Sequence, residues 1–192
     1  MTVLKRTDRL TDRLVDATHP ESAPDSVVSE PELANFLAYW RSLLPNAAWP
    51  RRADLDPIEM PRLLPFVMIT KTTPEGGEQI RLAGTHIVDH LGFDPTGGDL
   101  TGATAAPRFA GFCRTVSDTV TEARAPVYAG AHHVSGRGAM RHASQIACPL
   151  SDSGGSIDAT VRCLRFDPAN DPDPMHAGDP IAFVCPLVRV AV

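Results

Sequence analysis

Residues 107–122, PRFAGFCRTVSDTVTE, constrain the fold most. Phe109, Phe112, Cys113, Val116 and Val120 recur at helical spacing, while Arg108, Arg114, Ser117, Asp118, Thr121 and Glu122 hold the opposite side. A helix with one face this apolar has to lie on a flat apolar surface. The next segments supply one: PVYAGAHHV, MRHASQIACPL and SIDATVRCLRF read as strands, separated by the turn-forming runs SGRGA and SDSGGS. An antiparallel C-terminal sheet beneath the helix is the expectation.

Two more strands precede the helix, LLPFVMITKT and QIRLAGTHI, joined by a loop over residues 73–78 that contains Gly76-Gly77. Gly84 inside the second strand predicts a bulge or a close backbone approach. Residues 86–91 form a short helical turn stopped at Gly92, and residues 95–102, with three glycines and a proline, are irregular. Farther upstream, Ser29 is a candidate N-cap and Pro31 lies in the first turn of a helix carrying Leu33, Phe36, Leu37, Trp40, Leu43 and Leu44 on one face, ended by Pro45. That face must dock on the domain's own sheet or on a second copy.

The flanks read differently. TDRLTDRL, with Leu4, Leu10 and Leu14, is a weak amphipathic helix, either a dimerisation arm or a tail. Residues 19–28 and the Pro/Asp run 167–180 are linkers, and IAFVCPLVRVAV at 181–192 is apolar enough to pair as an edge strand or pack on a partner chain. The expected organisation is an arm and linker over 1–28, one domain over 29–166, and a linker with an apolar strand over 167–192.

Composition narrows the function classes. A 43% apolar and 21% charged chain has a globular balance, and no uncharged apolar run nears the roughly 20 residues of a membrane span. Asp8, Asp12 and Asp16 interrupt the N-terminus, which therefore lacks a signal-peptide core; a cytoplasmic protein is expected. Cys113, Cys148, Cys163 and Cys185 are widely spaced within apolar runs and read as reduced, buried residues. A net charge of −5 with only Lys5 and Lys71 as lysines argues against nucleic acid as a partner. Arg51-Arg52 and Arg137 with Arg141 read as solvated loop charges.

The order of elements, two strands, short helices and turns, one longer amphipathic helix, then three antiparallel strands, resembles a PAS domain. At residue level the chain is similar to a bacterial family of standalone PAS-like proteins. The resemblance spans about residues 30–166. It rests on Tyr39-Trp40, Arg52-Ala53-Asp54-Leu55-Asp56-Pro57, Leu63-Leu64-Pro65, Arg81-Leu82-Ala83-Gly84-Thr85, Gly92 with Thr96-Gly97, and Pro149-Leu150. It implies an α+β fold: a five-stranded antiparallel sheet with helices packed on one face, here with an added N-terminal amphipathic helix. It also implies intracellular sensing or signalling through protein contacts. Gly98 and Asp99, directly after Thr96-Gly97, depart from the family pattern and put the short pocket-lining helices in question.

Candidate binding residues follow from the fold. Phe109, Phe112, Cys113 and Val116 on the long helix, with Arg81 and His142 on strands, are the expected lining of a ligand pocket. Arg81 is expected to pair with Asp54 or Asp56, or to hold an anion. The Asp54/Asp56 pair suits a divalent ion, but Pro57 favours a turn. His86 and His90, four apart, suit a metal by spacing, with no third ligand at a recognised distance. His132 and His133 point to opposite sheet faces, so at most one shares a face with His142, and such a pair could switch near neutral pH. Some PAS domains hold haem through a helix-borne histidine, but residues 107–123 have none, and His86 or His90 would need another geometry. The flavin-binding branch sets its cysteine in Asn-Cys-Arg-Phe, whereas Cys113 sits in Gly-Phe-Cys-Arg. The sequence supports neither haem nor flavin, and the cofactor is unknown.

The leading expectation is a non-enzymatic sensory or regulatory module, a homodimer, binding a small molecule between sheet and long helix and signalling in trans to a protein partner, since no transmitter or kinase segment is recognised. The alternatives are a ligand-free interaction scaffold whose core is filled by Phe109 and Phe112, and a small α+β enzyme using His142 with an aspartate as base. The enzyme reading is disfavoured because only one helix precedes the first strands.

Overall fold

The computed structural model describes residues 22–23, 28, 30–44, 49–100, 107–134, 140–152, 155–166, 181–182 and 188–190. The Leu4/Leu10/Leu14 helix, the 167–180 linker and Cys185 lie outside the described residues. In chain order the elements are β1 (Ser22–Ala23), α1 (Pro31–Ser42), β2 (Val67–Thr72), β3 (Glu78–Ala83), α2 (Thr85–Leu91), α3 (Pro107–Ala123), β4 (Val127–Val134), β5 (Met140–Leu150), β6 (Ala159–Phe166), β7 (Ile181–Ala182) and β8 (Val188–Val190). Short 3-10 turns at Arg52–Asp54 and Leu64–Phe66 precede β2.

The centre is the antiparallel order β3-β2-β6-β5-β4, the five-stranded sheet that the resemblance implied. Beyond β4, the short strands β7 and β8 pair with it, and β1 runs parallel to β8. Part of the apolar 181–192 segment therefore covers a sheet edge.

Strand alternation gives the sheet two apolar faces. On the inner face, α2 and α3 bury Ile87, Leu91, Phe109, Phe112, Cys113, Val116 and Val120 against Met68, Ile80, Leu164 and Phe166. Ala129, Ala131, Ala143 and Ala147 contribute only methyl groups there, which leaves room for a helix close to the strands. On the outer face α1 buries Leu33, Phe36, Leu37 and Trp40 against Val67, Ile69, Ile146, Leu150, Val161 and Cys163. The sequence left α1 a choice between its own sheet and a second copy, and it takes its own sheet. Its N-cap is Glu30, one residue later than expected, with Pro31 in the first turn and Arg41 in the last, where a cation complements the helix dipole. Full burial of Leu33, Phe36 and Leu37 gains roughly 1.5–3 kcal/mol each.

Two tethers fix α1. Trp40 Nε1 donates to the Pro149 carbonyl at 3.1 Å, and Tyr39 Oη accepts the Asp56 amide at 2.7 Å. Burial raises the Tyr39 phenol above its ordinary range, so the hydroxyl stays neutral and available for this bond.

The irregularity in β3 is at Arg81. Ile69 faces Leu82 and Thr70 faces Ile80, so Arg81 is the extra residue of a bulge. Gly84 marks the close approach: a Cβ there would lie 2.3 Å from both the Leu64 and Pro65 carbonyl oxygens. The free edge of β3 is covered by residues 97–100, with Ile80 N donating to Gly98 O at 2.9 Å and Leu100 N to Glu78 O at 2.8 Å. This is where the sequence departs from the family pattern, and the departing residues, Gly98 and Asp99, are laid along the strand.

Candidate ligand cleft

Alternation along β6 sends Val161 and Cys163 outward and Arg162 inward, so that a guanidinium with no solvent exposure lies beneath α3. Arg162 Nη2 meets Glu78 Oε1 at 3.1 Å and Thr70 Oγ1 at 3.1 Å, and also donates to Ser117 Oγ. Its Nη1 donates to the Cys113 carbonyl at 2.9 Å and reaches Gln145 Oε1 at 3.5 Å. Ser117 Oγ donates to Glu78 Oε1 at 2.6 Å, and Thr70 Oγ1 donates to the same oxygen. One cluster thus ties β2, β3, β5, β6 and α3 together. A charge pair taken out of water has to be held by such extra hydrogen bonds to be tolerable.

The cluster is incompletely satisfied. Glu78 Oε2, Gln145 Nε2 and Arg162 Nε are buried without a hydrogen-bond partner among the described residues. Glu78 also lines a cleft of about 340 Å³ between the β2–β3 hairpin, α3 and the start of β6. Thr72, Gly76, Gly77, Thr121 and Thr160 form its walls, and Arg114, Asp118 and Glu122 bring charge to it. Arg114 is committed at 2.9 Å to Asp118 and leans on the Gly76 carbonyl at 3.5 Å. Chemically the cleft offers hydroxyls and carboxylates, which suits hydrogen-bond donors.

A second cavity of about 360 Å³ opens on the outer face, between the Arg52–Pro57 segment and strands β2 and β3, lined by Leu55, Met60, Val67, Ile69 and Leu82 among others. It is mostly apolar. Nearby, the side chain of Ile58 is 85% exposed.

The expected site residues do not converge. Phe109, Phe112, Cys113 and Val116 are packed into the inner core at 0–3% exposure and line neither cavity. Arg81 is exposed on the bulge and donates to Gln79 Oε1 at 2.8 Å. It does not pair with Asp54 or Asp56. Asp54 is taken by Arg51, at 2.9 Å and by the Arg51 amide at 2.8 Å, and these bonds hold its carboxyl below the usual range. Asp56 Oδ1 accepts the Ile58 amide at 2.8 Å, closing a turn ahead of the 3-10 segment. His142 is half-buried and, by alternation with Ala143 and Ile146, belongs to the outer face, across the sheet from Phe109. His132 is its cross-strand partner in register. Ser117, expected on the solvent side of its helix, is buried at 6%.

His86 and His90 pack around Phe166 instead of converging on an ion. The His90 ring stacks on it at 3.7 Å, the His86 ring lies 5.7 Å away, and His86 Nε2 accepts the Phe166 amide at 3.4 Å. Burial, with Arg165 nearby, lowers the His86 imidazole below its ordinary value. Among the described residues no group of three or more His, Cys, Asp or Glu is placed to hold a metal. Burial pushes the Cys113 thiol up to about 11, and the same cause raises Cys148 and Cys163. All three are free thiols in the core. No helix among the described residues is long and apolar enough to cross a membrane.

Sequence reasoning missed Arg162, Glu78 and Thr70. One signal was present: Arg162 stands at an inward position of an otherwise apolar strand, where an unpaired charge is untenable.

Comparison with known proteins gives one family match and several structural likenesses. The sequence model of a family described as PAS domain matches residues 28–164. None of the curated proteins matches. A light-oxygen-voltage domain studied with a flavin analogue superposes with a TM-score of 0.37 at 13% identity, over 54% of this chain and 78% of that one. The light-state structure of the blue-light photoreceptor Aureochrome1 LOV domain gives 0.36 at 17% identity, over 56% and 84%. The PAS domain of Bordetella pertussis BvgS gives 0.33 at 17% identity, over 60% and 89%.

Proposed function

The chain belongs to the PAS domain family, and from that premise we propose that it is a sensory module that binds a small molecule in the cleft between the β2–β3 hairpin and α3. Its bound state then passes to a protein partner. The carrying observation is the Arg162–Glu78 cluster, because it joins the cleft to five elements through polar contacts that are only partly satisfied. Apolar residues of similar volume would hold a core at least as firmly. A ligand that engages Glu78 changes what Ser117 and Arg162 can hold, and so favours one packing of α3 on the sheet. On the other face of β6, Arg165 pairs with Glu32 of α1, which offers a route to the outer surface. The module is proposed to act as a cytoplasmic homodimer and to catalyse no reaction.

Native mass spectrometry on protein purified from its own cells tests this reading. A retained small molecule, released on unfolding, is the expected result. A clean apo mass across growth conditions overturns it in favour of the ligand-free scaffold, for which the filled core around Phe109 and Phe112 already speaks.

A further inference from the structure

We infer that the ligand of the hairpin–α3 cleft is a small organic cation that carries N–H donors, such as a primary ammonium or a guanidinium. This inference rests on the proposed sensory reading and adds the chemical class to it.

Four observations carry it. Glu78 is 94% buried and has one oxygen loaded with three donors while the other, Oε2, has none among the described residues. Glu78 lines the cleft, and a buried carboxylate oxygen left without a partner asks for a donor. The charged walls carry three carboxylates, Glu78, Asp118 and Glu122, against the single guanidinium of Arg114. That guanidinium is already committed to Asp118. Arg162, behind the cleft, offsets Glu78 alone, so Glu122 is left without a counterion among these residues and the cleft disfavours anions. The remaining walls include the hydroxyls of Thr72, Thr121 and Thr160 and the apolar Ile157 and Ala159, none of which adds charge; the Gly76 and Gly77 amides are already bonded to Thr73. The volume of about 340 Å³ sits at the small end of ligand pockets, which run from roughly 300 to 1,000 Å³.

The geometry also separates two kinds of cation. A tetraalkylammonium has charge but no N–H, and so cannot satisfy Glu78 Oε2. A primary ammonium brings charge and three donors. The charge-assisted bond it makes is among the stronger hydrogen bonds available.

The test uses butylammonium, tetramethylammonium, butyrate and butanol as probes on the whole chain, at matched ionic strength, read by amide chemical shifts and by unfolding temperature. Butylammonium is expected to shift the Gly76, Gly77 and Ser117 amides saturably and to raise the unfolding temperature. Tetramethylammonium and butyrate are expected to do neither. Glu78→Gln should weaken butylammonium by at least about tenfold. Because that variant disturbs a buried ion pair, Glu122→Gln at the exposed rim serves as the second arm and should weaken it several-fold at low salt only. Saturable binding of butyrate or butanol at the same amides, equal to or stronger than that of butylammonium, overturns the cation class and leaves the sensory cleft standing. Cleft amides unmoved by all four probes overturn the cation class too, and only a clean native mass would then take the sensory reading with it.

Discussion

Arg162 and Glu78 meet at 3.1 Å beneath α3, with side chains 0% and 7% exposed. The two residues come from β6 and β3, with β2 between them supplying Thr70 to the same contact.

Removing one partner leaves a buried charge without its counterion. Arg162→Met is therefore expected to cost about 3–5 kcal/mol of unfolding free energy. Arg162→Met with Glu78→Met should recover much of that loss, because both charges then leave together. Urea unfolding of the two single variants and the double variant gives the coupling energy. Additive losses would show that the two side chains are energetically independent.

Gly84 predicts a steric penalty without a backbone one. Its φ of −71° suits any residue, but a Cβ would stand 2.3 Å from two carbonyl oxygens of the Leu64–Phe66 turn. Gly84→Ala should cost roughly 1–3 kcal/mol from overpacking and displace that turn. Gly97→Ala is the converse case, with open space around it but φ of +85°, and should cost about 1–2 kcal/mol from left-handed strain alone. Amide shifts near Pro65 discriminate the two: only the first variant moves them.

The motifs that made the family legible turn out to touch one another. Trp40 reaches Pro149, Tyr39 reaches Asp56, and Gly84 lies against Leu64 and Pro65. Those residues solve a packing problem at the outer face and the hairpin, which is why their pattern identifies a fold and says little of a ligand. Helical spacing located α1 and α3, and alternation located the five central strands, because both periodicities are set by burial. The cleft is built otherwise. Its lining residue Glu78 meets Thr70, 8 residues back across the hairpin, and Arg162, 84 residues on, which only strand order brings to the pair. Spacing also put Ser117 on the wrong side of its helix, since a buried hydroxyl reads as polar until its partner is known. The bulge at Arg81 was similarly hidden: it depends on the register with β2, which no local pattern in β3 reveals.

The three core cysteines should be inert while the protein is folded. Only the thiolate alkylates, and burial pushes the Cys113 thiol up to about 11 and raises those of Cys148 and Cys163. Iodoacetamide at pH 8 is expected to leave peptides containing these three unmodified in buffer and to label all of them in urea. Labelling of Cys113 in buffer would mean that α3 opens from the sheet, and its rate would then measure that opening.

His86 ties acid stability to the junction of α2 and β6. Burial first, and then Arg165, lower its imidazole below 6.5, while Asp89 and Glu32 oppose the shift. The folded state thus binds the proton less well than the unfolded chain, so the contribution of His86 is complete above about pH 6.5 and is lost as pH falls through the lower folded value. Protonation also removes the acceptor that Nε2 offers to the Phe166 amide at 3.4 Å. Asp54, Asp94 and Asp152 are held below the usual carboxylate range, and so stay ionised through this window. Unfolding free energy measured in urea should fall between pH 7.5 and 5.5, and His86→Gln, which keeps an acceptor and cannot titrate, should fall less. Every other group is common to the two proteins, so the difference between the slopes isolates His86. Parallel slopes would assign the acid sensitivity to another group, and a direct titration of the His86 ring by NMR should place its midpoint below 6.5.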